Sequence, residues 1–297
     1  MKIKIYIQNK SYWGSVVILK DGVNSHDHLE LVSCEEDADY IFFDFRDHQS
    51  VIKFPEKTIM IDYSDSQNLY KNLYNNVFMY FKRSVCDKFP SRFHDYGDKN
   101  VIPISYIVKK EATEWHIKPL KERQTDISIF FSTLDQGGRG AIAKFIKMHF
   151  SEEYKIHVGV VGARGEIGRN TIQKDYYNTM LNSKIVVTCN PYKWEGDWRL
   201  FEALSCSPLV MVDEMITPVR NKFADGEHLI YYSVRKLDDL FGKIVYYLKN
   251  LDESQTIATS GYNHALKYHT AKNRMDEILE EINSKNKSKP GYEFSGK

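Results

Sequence analysis

The stretch KIVVTCNPYKWEGDWRLFEALSCSPLVMVDEMITPVRNKFADGEHLI, residues 184–230, decides the fold. It begins with an apolar run at residues 185–189 and continues through a polar loop into a short amphipathic segment. A second apolar run, residues 208–212, ends at Asp213. Short apolar runs on either side of a helical segment are typical of buried parallel strands joined by a crossover helix. The stretch therefore predicts a strand–helix–strand unit within a parallel sheet.

The same alternation of apolar runs and helical segments extends along the chain, which indicates the α/β class. We predict two Rossmann-like, doubly wound domains facing a cleft. The polar stretch 108–124 separates them, which gives an acceptor-side domain at residues 1–122, a second domain at 123–284 and a flexible tail at 285–297. The predicted strands are residues 2–8, 29–32, 40–45, 58–62, 77–81, 101–107, 127–132, 155–161, 185–189, 208–212 and 228–233. The main predicted helices are residues 141–150, 172–181, 237–248 and 257–283, together with the segment that carries Arg199.

The amino-acid composition argues against several classes of function. The 41 Lys and Arg residues nearly balance 40 Asp and Glu residues, so the chain lacks the basic excess of a protein that coats nucleic acid. Four cysteines without CxxC spacing predict neither a zinc site nor a disulfide framework. The sequence shows neither a signal peptide nor a run of about 18 apolar residues. A cytoplasmic protein is expected, and the oligomeric state stays open.

The helical segment after residue 189 carries a candidate binding pair, Arg199 and Glu202. Loops that follow parallel strands lie at one edge of a sheet, where ligands bind. A guanidinium there suits a phosphate, and a carboxylate one turn away suits ribose hydroxyls, which together suit a nucleotide sugar. The alternative is an ion pair on an exposed helix face. Asp197, which precedes the segment, is a candidate sugar contact or simply the helix N-cap.

A glycine-containing loop at residues 135–140 is a second candidate. Gly138 and its neighbours allow backbone amides to approach a phosphate at the start of a helix, and Arg139 supplies a charge-assisted hydrogen bond. The alternative is an ordinary turn with a solvated arginine. A further glycine-containing loop, residues 162–168, lacks the G-x-G start of a dinucleotide fingerprint, which argues against a dehydrogenase.

Charged residues also follow the predicted strands of the first half. Lys82 and Arg83 come directly after one strand, where they would either face a diphosphate or form a solvated pair. Asp44, Asp62 and Asp65 lie at or just beyond the ends of two others, where a carboxylate is available as a general base. The alternative for Asp65 is a turn or cap residue, which is the more common role of an aspartate in such a sequence.

The segment GDWRLFEALSCSPLVMVDEMITPVRNKF, residues 196–223, resembles the donor-binding region of GT-B glycosyltransferases. The similarity is greatest to the exostosin-like family and its bacterial spore-maturation-type relatives. The matching positions are Gly196, Arg199, the Glu202–Ala203 pair, the small-residue turn 205–208 and Asp213. The chain departs from the family at Cys206 and Ser207, where a glycine is usual. Glu195 and Glu202 are one residue short of the EX7E spacing of some retaining enzymes, which favours inversion.

The resemblance implies that a nucleoside-diphosphate sugar, with UDP favoured, binds the second domain. It implies a ribose contact at Glu202, phosphate contacts near Arg139 and Arg199, and a nucleotide contact at Tyr192. These cations would stabilise the leaving diphosphate without an obligatory metal or other cofactor.

The resemblance further implies that a glycan hydroxyl lies against the first domain and loses its proton to Asp65, or else to Asp44 or Asp62. Animal exostosins carry a membrane anchor, so a soluble microbial or viral enzyme is expected. The alternatives are a non-catalytic nucleotide- or sugar-binding protein and another enzyme of the same architecture, such as an epimerase.

Overall fold

The computed structural model describes residues 2–8, 14–44, 51–65, 69–84, 101–131, 138–160, 174–190 and 196–287. Within these residues the apolar runs form two parallel sheets. The first sheet has the order β2-β1-β3-β4-β5-β6. Its strands are β1 (Ile3–Ile7), β2 (Leu29–Leu31), β3 (Tyr40–Asp44), β4 (Thr58–Asp62), β5 (Met79–Lys82) and β6 (Val101–Pro103), and its helices are α1 (Gly14–Asn24) and α2 (Lys71–Tyr74).

The second sheet has the order β11-β10-β9-β7-β8. Its strands are β7 (Thr125–Phe131), β8 (Ile156–Val160), β9 (Ser183–Val187), β10 (Leu209–Asp213) and β11 (Ile230–Tyr232). The helices that follow β7 in the chain are α3 (Arg139–Phe150), α4 (Lys174–Leu181), α5 (Trp198–Ser205), α6 (Leu237–Lys249), α7 (Leu251–Tyr268) and α8 (Ala271–Lys287). The predicted strand–helix–strand unit is β9, α5 and β10, so the expectation of two parallel sheets with flanking helices is confirmed.

Burial explains why the strands read as continuous apolar runs. Every residue of β4 and of β10 is buried, because helices cover both faces of a parallel sheet. The charged members of these strands, Asp62 and Asp213, stand at the carboxyl ends. The sheets thus combine apolar interiors with a polar edge.

The last predicted helix is in fact two helices. The structure ends α7 at Tyr268 and starts α8 at Ala271. Between them the Thr270 hydroxyl accepts a hydrogen bond from the amide of Asn273 at 3.2 Å, as an N-cap residue does. The hydrogen bond of Thr270 favours a new helix start at this point. It outweighs the helical periodicity, which predicts one long helix.

The break directs α8 back to the first sheet. α8 packs against α1, where Asp276 bonds His26 at 2.8 Å, and Asn286 reaches the Tyr40 hydroxyl at 2.9 Å. At the break the Val108 amide donates to the His269 carbonyl at 2.7 Å, so the two connections between the sheets meet there. A helix assigned by sequence to the second domain therefore braces the first, and the domain boundaries stay a prediction.

No helix in the described part of the chain is long and apolar enough to span a bilayer. Cys189 and Cys206 are both buried, in keeping with the apolar runs that contain them.

Two helix-interior glycines give a matched test of packing. A Cβ on Gly261 of α7 would overlap the His228 carbonyl oxygen and lie 3.3 Å from Leu204, whereas a Cβ on Gly242 of α6 would meet nothing within 4 Å. Gly261→Ala should lower the free energy of unfolding by about 1–3 kcal/mol because the backbone must move. Gly242→Ala should raise it by about 0.5–1 kcal/mol. Urea denaturation measures both, and equal effects at the two sites would refute the close packing of α7.

Candidate functional site

The candidate site lies where the second sheet reverses its strand order. β7 has β8 on one side and β9 on the other, and ligands of open α/β sheets bind beyond the carboxyl ends of strands at such a reversal. α3 follows β7 and α5 follows β9, so both helices begin at this edge. Gly138 precedes α3 with φ +79°, a conformation that favours glycine. The edge therefore carries two helix N-termini, each with an arginine in its first turn.

Asp197 joins these two helix starts. Its Oδ1 accepts from the Leu200 amide at 3.0 Å, so Asp197 is the N-cap of α5. Its Oδ2 accepts from Arg139 Nη2 at 3.0 Å and from Arg199 Nη1 at 2.8 Å. Two guanidinium groups share one carboxylate oxygen, which leaves one positive charge in excess within the triad.

Both arginines of the triad are buried, with 1% of Arg139 and 6% of Arg199 exposed. Arg139 also donates to the Cys189 carbonyl at 3.2 Å, and both guanidiniums lie within 6 Å of the Phe131 ring centre. Burial disfavours the charge of Arg199, but Asp197 and other neighbouring groups outweigh it and raise its pKa. The solvated-arginine alternative for Arg139 is therefore wrong.

Arg199 keeps one donor unused. Its Nε is buried and has no hydrogen-bond acceptor among the described residues. A buried donor without an acceptor costs about 1–3 kcal/mol, so an anionic oxygen that reaches this nitrogen gains that amount back. The Nε of Arg199 is therefore a candidate contact for an anion.

Glu202 does not form the surface ion pair that the sequence allows. It is 8% exposed, and its carboxylate accepts from the hydroxyls of Tyr176 at 2.8 Å and Tyr177 at 3.0 Å. Because Glu202 and Arg199 are both buried on α5, the exposed-face alternative is wrong. The two tyrosine partners lie on α4, 25 and 26 residues away in sequence.

Asn190 and Asp213 fix the residues around the start of α5. The Asp213 carboxylate accepts from the Asn190 backbone amide at 2.6 Å and from its side-chain amide at 3.1 Å. The Asn190 side-chain oxygen accepts from the Gly196 amide at 2.8 Å. Sequence reasoning missed the Asn190 bonds, although an asparagine directly after a predicted strand was a visible signal. Tyr192 lies outside the described residues.

In the first sheet, Lys82 and Asp62 form a closed pair. Both side chains are fully buried and their charged atoms are 3.3 Å apart. Asp62 also accepts from Tyr80 at 2.6 Å and from the Ser64 amide at 2.9 Å, and Lys82 donates to the Ser64 hydroxyl at 2.9 Å. Burial lowers the pKa of Lys82 to about 8, although Asp62 opposes the shift. Asp62 is therefore occupied by structural donors.

Arg83 lies between the two sheets. It is 1% exposed, pairs with Asp65, and donates to the Ser64 carbonyl at 3.1 Å. Burial opposes its charge, whereas neighbours that include Asp65 and, from the second sheet, Asp197 raise its pKa. Arg83 and Gly196 both line one cavity. The structure thus brings Arg83 towards the triad, and the solvated-pair alternative for Lys82 and Arg83 is wrong.

The three candidate bases differ in access. Asp44 is 1% exposed and accepts a hydrogen bond from the Ser15 hydroxyl, and Asp62 is 0% exposed. The Asp65 side chain is 53% exposed. Only Asp65 among these three aspartates can meet a substrate hydroxyl without rearrangement. Among the described residues, no group of three or more His, Cys, Asp or Glu side chains is arranged to hold a metal ion.

Comparison with known proteins agrees with this architecture. The family model described as glycosyl transferase-like matches residues 139–280. Comparison with curated protein sequences gives no match.

Solved structures match over nearly the whole chain. One is an alpha-glucosyltransferase in complex with UDP, with 10% identity, a TM-score of 0.63 and coverage of 95% of this chain and 100% of that chain. A second is sucrose-phosphate synthase from Thermosynechococcus elongatus, with 8% identity, a TM-score of 0.58 and coverage of 96% and 99%. A third is Anabaena HepE in complex with UDP and glucose, with 11% identity, a TM-score of 0.57 and coverage of 95% and 100%. The chain therefore has the GT-B fold, and its residues 139–280, which begin at the arginine that opens α3, match the glycosyl transferase-like family.

Proposed function

We propose that this protein is a glycosyltransferase that moves a sugar from a UDP-sugar to an acceptor hydroxyl. The observation that carries the proposal is the buried Arg139–Asp197–Arg199 triad, with the unused Nε of Arg199, one helical turn from Glu202. The family match begins at Arg139. Two of the similar structures are described as complexes with UDP, which supports UDP as the nucleotide.

The triad contacts the phosphates of the donor, and Glu202 contacts its ribose. Phosphate oxygens accept from Arg199 Nε and from the first-turn amides of α3, while ribose hydroxyls donate to Glu202. As the sugar–phosphate bond breaks, charge develops on the diphosphate. Buried, preorganised guanidiniums stabilise that charge without reorganising, which lowers the barrier. This role does not require a metal, and we propose that transfer is metal-independent.

The acceptor approaches from the first sheet. Asp65 is the proposed base, because it is the accessible carboxylate of the three and its partner Arg83 extends towards the triad. It takes the proton of the acceptor hydroxyl as the oxygen attacks the anomeric carbon. We propose a glycan as the acceptor and a hexose or pentose as the transferred sugar. The exostosin-like relationship and a cytoplasmic, microbial or viral setting belong to the same proposal.

We propose inversion at the anomeric carbon, because Glu195 and Glu202 are one residue short of the spacing seen in some retaining enzymes. Transfer with retained configuration in the NMR spectrum of the product would contradict this part. Activity that survives EDTA treatment supports the metal-independent mechanism, whereas loss with EDTA and recovery with Mg²⁺ or Mn²⁺ contradicts it.

Arg199→Lys tests the donor site. The change keeps a positive charge near Asp197 but removes the Nε donor and the planar fork, so UDP affinity should fall about tenfold, as one charged hydrogen bond is lost. Isothermal titration calorimetry measures the affinity.

Arg123→Lys is the matched control. Arg123 is also buried, but it donates to the carbonyls of Ser183 and Ser207 at the opposite, amino-terminal edge of the same sheet. This variant should lose stability and keep UDP affinity. An unchanged UDP affinity in Arg199→Lys, or an equal loss of UDP affinity in both variants, would refute the assignment of Arg199 to the donor site.

Asp65→Asn tests the base. Turnover should fall by about 10²–10⁴-fold, the usual contribution of a general base, while UDP affinity changes little; the free energy of unfolding should fall only modestly, because the buried Arg83 loses a charged partner that is itself exposed to solvent. Asp62→Asn should instead lower the free energy of unfolding by about 3 kcal/mol, since it leaves the buried Lys82 without its counter-charge. Steady-state kinetics and urea denaturation separate the two roles. UDP binding with no transfer to any glycan would favour a non-catalytic nucleotide-binding protein.

A further inference from the structure

We infer that Tyr176 and Tyr177 are positioning residues, whose paired hydroxyls hold the Glu202 carboxylate in the orientation that receives the two ribose hydroxyls of the donor nucleotide. The inference rests on the proposed function, because it assigns a specific task to neighbours of the proposed ribose-binding carboxylate. It concerns the pair of tyrosines on α4, for which the donor-site proposal gives no role.

The geometry of the pair is specific. Tyr176 donates to Oε2 of Glu202 at 2.8 Å, and Tyr177 donates to Oε1 at 3.0 Å. Adjacent residues on a helix point about 100° apart, so they rarely converge on one group. Here the carboxylate receives one bond on each oxygen. Rotation of the carboxylate about its last side-chain bond would break both bonds, so its plane is fixed.

Each phenol is held by its own ring contacts. Tyr177 is 4% exposed and packs against Trp115, with ring centres 4.8 Å apart. Tyr176 lies edge-to-face on Phe130 at 5.0 Å. The rings are therefore oriented by packing, and the carboxylate follows the hydroxyls. Trp115 belongs to the connection between the two sheets, which ties the pair to that connection.

The hydrogen-bond capacity of the carboxylate fits a diol. An ionised carboxylate offers about four acceptor positions, and the phenols occupy two of them, one per oxygen. Counting the bonds from described residues, one position per oxygen is left, which matches the two adjacent hydroxyls of a ribose. Burial, reinforced by Glu202, raises the pKa of both phenols, so both stay protonated and act as donors.

Uridine diphosphate and its 2′,3′-dideoxy analogue test the inference by calorimetry. Wild-type protein should bind UDP about tenfold or more tightly than the analogue, because the analogue lacks the ribose donors to Glu202. Tyr176→Phe and Tyr177→Phe should each weaken UDP binding severalfold and leave binding of the analogue unchanged. In the Glu202→Ala background, either tyrosine change should add no further loss, because the three groups act as one unit.

Kinetics give an independent measure. Glu202 binds the ribose equally in the ground state and the transition state, so each tyrosine change should raise the donor KM and leave kcat unchanged. Tyr246→Phe is the matched control, since Tyr246 donates to Glu253 at 2.8 Å on the exposed surface. That variant should change neither the nucleotide preference nor the KM.

The outcomes are distinct. Equal weakening of UDP and the analogue in the tyrosine variants, with a lowered melting temperature, would show a purely structural pair and overturn the inference. Equal binding of both nucleotides by wild-type protein would also overturn it, while leaving the glycosyltransferase proposal standing. Binding of neither nucleotide by wild-type protein would refute the proposed function itself, and the inference with it.

Discussion

The site depends on the Asp197 carboxylate. Two arginines at the starts of α3 and α5 are almost completely buried, and burial of an unpaired charge costs several kcal/mol. Asp197 makes their burial tolerable, since one of its oxygens accepts from both guanidiniums while the other caps α5. Without this carboxylate, both arginines would lose a charged partner, and α5 would lose its cap. A single side chain thus fixes the helix start, the cations and the register of Glu202 one turn later.

The first sheet solves the same problem differently. Lys82 and Asp62 form an ion pair at the ends of β5 and β4. Asp62 also bonds Tyr80 and Lys82 bonds Ser64, so both charges are stabilised by groups of the same sheet. The next residue along the chain, Arg83, pairs instead with the exposed Asp65. At the polar edge of this sheet, the Lys82–Asp62 pair is therefore buried, whereas Asp65 is accessible to solvent. This difference separates groups that keep the strand ends in place from the group that can meet a substrate.

Much of the fold could be predicted from the sequence, because buried parallel strands need continuous apolar runs and the loops between them are polar. The N-cap role of Asp197 was also readable, since capping is local. Burial of Arg139 and Arg199 was not, because Asp197 lies 58 residues from Arg139 in sequence. The tyrosine partners of Glu202 were hidden for the same reason. Thr270 shows the opposite failure: the local signal for a new helix start was present, but the surrounding helical periodicity obscured it.

The spacing of Arg199 and Glu202 now has a physical reason beyond resemblance. Three residues advance a helix by about 4.5 Å and turn it by about 300°. Side chains with this spacing are therefore separated along the helix axis and point about 60° apart. Arg199 turns towards the start of α3 and its charge is met by Asp197, whereas Glu202 turns towards α4 and is met by two phenols. The hydrogen-bond partners of the two groups are separate, although the nearby Glu202 charge is one of the neighbours that raise the pKa of Arg199. Each group is thus oriented by its own hydrogen-bond partners, Asp197 for Arg199 and the two phenols of α4 for Glu202.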